Sequence, residues 1–179
     1  MEGTMDIPVE IERKFLVRPG VWPVSALPTH ILQGYIASSD GPSVRVRLVG
    51  DKARLTIKQT CRDPGQGRAE FEYDIPADHA RYMLAEVCAR PPLEKLRHAV
   101  SFAGSNWVID EFLGNNAGLV LAEIELKKQN ADFPLPIWAI QDVTRDPRFR
   151  NSFLYHHPWP EWQGDDRRPT FGGNPSLRR

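Results

Sequence analysis

Charged side chains recur along this chain at every second residue, in runs whose intervening positions are mostly apolar. Glu10, Glu12 and Lys14 alternate with Val9, Ile11, Arg13 and Phe15, and Arg45 and Arg47 with Val44, Val46 and Leu48. Thr56 and Lys58 flank Ile57, while Glu70, Glu72 and Asp74 alternate with Phe71, Tyr73 and Ile75. Lys95 and Arg97 share a parity, Asp110 follows Trp107-Val108-Ile109, and Glu123 and Glu125 alternate with Ile124 and Leu126. In a β-strand alternate residues share a face, so each run sets its charges on one side. For one strand alone, that is the ordinary solvated side of a sheet. As a set the runs contribute the cations Lys14, Arg45, Arg47, Lys58, Lys95 and Arg97 and the acids Glu10, Glu12, Glu70, Glu72, Asp110, Glu123 and Glu125. Crowded cations repel unless an anion neutralises them, and arginine forks match phosphate oxygens bidentately. Crowded carboxylates need a cation, and hard oxygen donors without a thiolate or imidazole cluster suit Mg²⁺ or Mn²⁺ rather than zinc. A metal polyphosphate satisfies both sets.

The elements that must position these groups are eight period-two segments: Val9 to Val17, His30 to Ala37, Ser43 to Leu48, Ala53 to Gln59, Glu70 to Ile75, Leu93 to Ser101, Asn106 to Phe112 and Leu119 to Leu126. The links Val49-Gly50-Asp51-Lys52, Gly65-Gln66-Gly67 and Gly104-Ser105 are short enough for hairpins and too short for parallel crossovers, so the sheet is predicted to be mostly antiparallel. Ala77 to Ala89 carries a helical pattern, with Asp78 placed to cap it. A short helix is expected after Pro136, over Ile137, Trp138 and Ile140, and another through Phe149 to Tyr155. So few helices cannot cover eight strands. The expected architecture is therefore α+β but mainly β, an eight-stranded antiparallel β-barrel closed on itself, its interior wide enough for one small ligand.

With 179 residues, 23 Lys plus Arg and 23 Asp plus Glu, the chain fits one neutral domain. A zero net charge argues against nucleic-acid or anionic-membrane partners recruited by bulk electrostatics. Cys61 and Cys88 form no metal or redox spacing. The N-terminus lacks a signal-peptide pattern, and no stretch approaches the ~18 apolar residues of a membrane span, so a cytoplasmic protein is expected. Residues 1–157 are assigned to the folded domain, and 158–179, rich in Pro, Gly and charge, to a flexible tail. His79, His98, His156 and His157 share no motif with the acids, and Trp138, Trp159 and Trp162 look like packing residues. The loop Gly114 to Gly118 is no phosphate cradle, because no helix opening on Lys-Ser or Lys-Thr follows it.

The ordered series of motifs resembles the CYTH family, also called the triphosphate tunnel metalloenzymes. It runs from E-x-E-x-K at Glu10, Glu12 and Lys14 through Gln33-Gly34-Tyr35, R-x-R at Arg45 and Arg47, and T-x-K at Thr56 and Lys58. It continues with R-x-E-x-E at Arg68, Glu70 and Glu72, K-x-R at Lys95 and Arg97, Asp110, and E-x-E at Glu123 and Glu125. The resemblance implies a closed eight-stranded tunnel in which the six cations cradle the phosphates. Glu10, Glu12, Asp110, Glu123 and Glu125 would hold Mg²⁺ or Mn²⁺, with Glu70 and Glu72 as further acidic lining. It also implies a C-terminal helix plugging one mouth and proton transfer by the pair Lys14 and Tyr35, with an alkaline activity optimum as its consequence. Among the family's activities the chain looks most similar to the small bacterial inorganic triphosphatases, which convert tripolyphosphate to pyrophosphate and phosphate. Adenylate cyclase and hydrolysis of ATP or thiamine triphosphate are the alternatives, and a non-catalytic polyphosphate-binding module is a third. A small-molecule substrate and a monomer or homodimer are expected.

Overall fold

The computed structural model of the protein describes residues 9–18, 20–23, 27–37, 41–60, 68–128 and 131–162. The strands are β1 (Val9–Glu10), β2 (Glu12–Val17), β3 (Thr29–Ala37), β4 (Ser43–Val49), β5 (Lys52–Thr60), β6 (Arg68–Ile75), β7 (Leu93–Phe102), β8 (Ser105–Phe112), β9 (Val120–Glu125) and β10 (Ala139–Asp142). They form one antiparallel sheet in the order β1-β6-β5-β4-β3-β7-β8-β9-β2-β10. Nine of the ten strands correspond to the eight alternating segments, because the first segment is divided at Ile11 into β1 and β2. The tight turn between β7 and β8 places Ala103 and Gly104 at φ 48° and 79°, the left-handed pair that matches the twist of a two-residue hairpin.

Two helical expectations change on contact with the structure. The segment after Pro136 forms β10 instead of a helix, because Ala139, Gln141 and Asp142 pair with Val17, Leu16 and Phe15 of β2. Over 77–89 the α-helix α1 ends at Tyr82 and continues as a single π-helical turn, Met83–Val87. Asp78 does not cap α1. It lies in the first turn and pairs with Arg81 at 2.8 Å. The last helix, α2 (Asn151–His156), lies within the expected Phe149 to Tyr155 region and one residue beyond it, preceded by a 3₁₀ turn at Pro147–Phe149.

The opposite, mainly apolar face of the sheet packs in two places. Phe15, Val17, Trp107, Ile109, Val120, Ala122 and Ile124 meet Trp138 and Ala139, while Val46, Leu48 and Ala53 meet Ala80 and Leu84 from the helix. Each such buried aliphatic or aromatic side chain stabilises by roughly 1.5–3 kcal/mol. Gly34 permits the second contact: a Cβ there would stand 2.7 Å from Cys88 Sγ and 3.0 Å from Leu84 Cδ2. Cys88 is a free thiol, and Cys61 lies outside the described residues.

A third cluster sits on the charge-bearing side. Leu16, Tyr35, Leu93, Phe112, Leu119 and Leu121 pack against Phe149, Leu154, Tyr155, Trp159 and Trp162. The packed chain therefore continues past residue 157, through the 3₁₀ turn Trp159–Trp162. Asn116, from the loop set aside as a phosphate cradle, pins this segment: its side chain donates to the Leu154 carbonyl at 3.2 Å and accepts from the Trp159 N–H at 2.8 Å. No helix among the described residues is long and apolar enough to cross a membrane.

Candidate active site

Register brings the charges of separate strands into contact. Lys14 lies opposite Glu123, Arg97 opposite Asp110, Arg45 opposite Thr56, and Lys58 opposite Glu70. Lys14 Nζ meets Glu123 at 2.5 Å and Glu12 at 3.6 Å. Arg97 grips Asp110 bidentately, with Nε and Nη2 both at 2.7 Å, and reaches Glu123 at 3.4 Å. Lys95, fully buried at 0% exposure, lies against Asp110 at 2.5 Å and over the Phe112 ring at 5.6 Å. These three cations and three acids form one continuous network over β2, β7, β8 and β9.

A second network lies on β4, β5 and β6. Glu72 accepts from Arg45 at 3.2 Å, Thr56 at 2.9 Å and Arg54 at 3.0 Å, while Glu70 pairs with Lys58 at 3.0 Å and Arg45 at 3.8 Å. Arg54 was not singled out from the sequence, although its parity with Thr56 and Lys58 carried the signal. Gln33 was quoted in a motif without a role. It is 0% exposed, opposite Arg47 in register, and its amide donates to the Tyr35 hydroxyl at 3.4 Å.

The electrostatics follow from this geometry. Burial alone would raise Asp110, but Lys95 and Arg97 hold its carboxyl well below the usual carboxylate range. Lys14, Arg97 and Lys95 likewise overcome the burial of Glu123 and depress it. Lys14 is desolvated, yet Glu123 and Glu12 raise it, so its ammonium is firmly charged. Lys95 moves the other way: burial and the neighbouring Arg97 charge bring it down to about 7 against the pull of Asp110.

Arg47 differs from the other cations. Among the described residues it makes no ion pair, and its buried Nε has no hydrogen-bond partner. Burial and the charges of Arg45 and Arg97, one from each network, bring its guanidinium down to about 10. It is a charged group held between like charges.

The acids proposed from the sequence as metal ligands separate. Asp110 and Glu123 direct their oxygens at Lys95, Arg97 and Lys14. Glu12 and Glu125 stand directly opposite each other in register, two like charges with the Lys14 ammonium 3.6 Å from Glu12. Of Glu10 only the backbone is described, paired with Arg68. Among the described residues no three acids, cysteines or histidines converge into a metal-holding group. The Lys14 ammonium goes to the acid across from it, and the Tyr35 ring packs at a tilt against Tyr155 at 5.3 Å beside the apolar cluster.

Comparison with known proteins gives a consistent picture. No family model matches the chain. An inorganic triphosphatase of Acetivibrio thermocellus is 44% identical over 154 residues, spanning 86% of this chain and 97% of the relative. The crystal structure of the inorganic triphosphatase NE1496 superposes with a TM-score of 0.60 at 30% identity, covering 82% of this chain and 97% of that one. HpAC1 from Hippeastrum, at 13% identity and a TM-score of 0.53 over 67% of this chain and 80% of its own, shares the fold.

Proposed function

We propose that this chain, which belongs to the inorganic triphosphatases of the CYTH family, hydrolyses a phosphoanhydride bond of inorganic tripolyphosphate to give pyrophosphate and phosphate. The observation that carries this reading is Arg47, which makes no ion pair among the described residues, whose buried Nε has no hydrogen-bond partner, and which burial, Arg45 and Arg97 destabilise by more than Glu72 offsets. Such a site is complete only with an anion in it. A triphosphate chain carries enough charge to neutralise Arg47 together with the arginines on either side.

The sheet pairings support a tunnel around that anion. The Val9–Val17 segment pairs along one edge with β9 and along the other first with β6 and then with β10, so both ends of the strand order meet on it. On this reading the eight strands close, and the apolar cluster with α2 and the Trp159–Trp162 turn fills one end.

Each residue's role follows from its surroundings. Arg45, Arg47, Lys58 and Arg97 bind phosphate oxygens, and Lys14 contributes a charge held beside them by Glu123. Lys95 acts from beneath Asp110, keeping that carboxylate and Arg97 in place. Glu12 and Glu125, with Glu10, Glu123 and Asp110 nearby in the series, fit a hard divalent ion such as Mg²⁺ or Mn²⁺, because carboxylate oxygens are the donors such an ion takes. When bound, that ion supplies charge neutralisation for the phosphoryl group in flight. Glu70 and Glu72 orient Lys58 and Arg45. Proton transfer by Lys14 and Tyr35, with its alkaline optimum, requires Lys14 to leave Glu123.

Phosphate release from tripolyphosphate, pyrophosphate, ATP and thiamine triphosphate, compared with Mg²⁺, with Mn²⁺ and with EDTA at neutral and alkaline pH, tests this reading. Metal-dependent release that favours tripolyphosphate is expected. Preference for ATP or thiamine triphosphate would overturn the substrate, and binding without turnover on any of the four would overturn the enzyme.

A further inference from the structure

The backbone of Lys14 is held from behind by a turn that no ladder rule requires. β10 ends at Asp142, whose register partner is Phe15, so the regular pairing stops one residue short of Lys14. Two groups of the next turn replace it. The Val143 N–H donates to the Lys14 carbonyl at 2.9 Å, and the Lys14 N–H donates to the Thr144 hydroxyl oxygen at 2.9 Å.

The Thr144 hydroxyl is itself fixed. It donates to Asp142 Oδ1 at 2.5 Å, with the Lys14 carbonyl a longer alternative acceptor at 3.4 Å, and the same Asp142 oxygen accepts from the Thr144 N–H at 2.9 Å. Arg13, beside Lys14 but on the other face of β2, completes the knot: its Nη2 pairs with Asp142 Oδ2, and its Nε donates to the Thr144 hydroxyl at 3.3 Å. A hydroxyl has one proton to give and two lone pairs to receive. Here one donated bond, to Asp142 in preference to the more distant Lys14 carbonyl, and two accepted bonds use all three and hold the side chain in place.

That placement matters because Lys14 must meet Glu123 at 2.5 Å with its side chain only 8% exposed. The ammonium is the tip of a flexible four-carbon stem, so its position depends on where the Cα is anchored. A displacement of about 1 Å at a reacting group can lower turnover by about 100-fold. Thr144 bonds the backbone of Lys14 and the Arg13 guanidinium, and it has no bond to the charged network that would bind substrate.

We propose that Thr144, fixed by Asp142 and Arg13, is a positioning residue that sets the placement of Lys14 in the site. The inference rests on the triphosphatase reading for its kinetic consequence, though the positioning itself is readable without turnover. Thr144→Val keeps the shape and removes the acceptor, Thr144→Ser keeps the hydroxyl, and Asp142→Asn weakens the knot while leaving Thr144 intact. Thr144→Val is expected to lower kcat on tripolyphosphate by about ten- to hundredfold, the range for lost outer supports of a site, with KM changed less than about threefold. Thr144→Ser recovers most of that loss, and Asp142→Asn falls between them and tests the proposal should Thr144→Val fold poorly. The ¹⁵N signal of the Lys14 ammonium, recorded without substrate, is expected to shift in Thr144→Val and to stay near its wild-type position in Thr144→Ser. An unmoved signal in Thr144→Val overturns the positioning role whether or not the protein cleaves tripolyphosphate. So does a Thr144→Ser variant as impaired as Thr144→Val. Absence of tripolyphosphate cleavage by the wild type would instead count against the proposed function alone.

Discussion

The charge-bearing face of the sheet has two regions built from the same strands. In one, Lys14, Glu123, Asp110 and Lys95 form a polar network; in the other, Leu16, Leu121, Phe112 and Leu93 pack under Phe149, Leu154 and Trp159. On each strand the change occurs in one step of two residues, and register aligns the steps: Lys14 faces Glu123 while Leu16 faces Leu121. The apolar region is satisfied by its own chain, with Asn116 bonding the backbone that covers it. The charged region is only partly satisfied, since Arg47 makes no ion pair among the described residues and its buried Nε has no hydrogen-bond partner. The fold thus completes one end of this face itself and leaves the other to a ligand.

Variants in the two regions should therefore fail differently. Phe149 is fully buried in the apolar cluster, so Phe149→Ala should cost about 3–5 kcal/mol of stability, as large-to-small core changes do. Denaturant unfolding would show this, and the folded fraction should keep its KM for tripolyphosphate; a KM raised tenfold with unchanged stability would break the division. In the charged region Glu123→Gln preserves the shape beside Lys14 and removes the charge. Turnover should fall by a factor on the order of 100 to 1000, the range for losing one electrostatic element of a site, while affinity for tripolyphosphate changes only a few-fold. Equal loss of turnover and affinity, measured by steady-state kinetics and calorimetry, would count against the role assigned to Glu123.

Parity made the charged region legible in the sequence, because a period of two places Arg45 with Arg47 and Lys95 with Arg97 whatever the strands pair with. Pairing is a different matter. Which acid meets which cation depends on register across the sheet, and parity alone does not tell that Glu123 faces Lys14 directly. The apolar region was readable only in part. Trp159 and Trp162 stood out as packing residues, yet the proline-rich segment around them carries no period, and its burial depends on Asn116 and Phe149 from distant parts of the chain. β10 was hidden for the same reason: Ala139–Asp142 is a strand because the edge of β2 needs hydrogen bonds there, and local propensity does not record that need.

The central claim is that Arg47 is held beside Arg45 and Arg97, without an ion pair among the described residues, for the sake of an anionic ligand, and calorimetric titration of tripolyphosphate into wild type and Arg47→Met tests it most directly. A charge-assisted hydrogen bond contributes about 1.5–3 kcal/mol, so affinity should fall by about tenfold or more. The ligand-free variant should melt no lower than wild type, because the substitution relieves repulsion from Arg45 and Arg97. Undiminished affinity, or a ligand-free protein that melts well below wild type, would show that Arg47 serves the fold and would contradict the account.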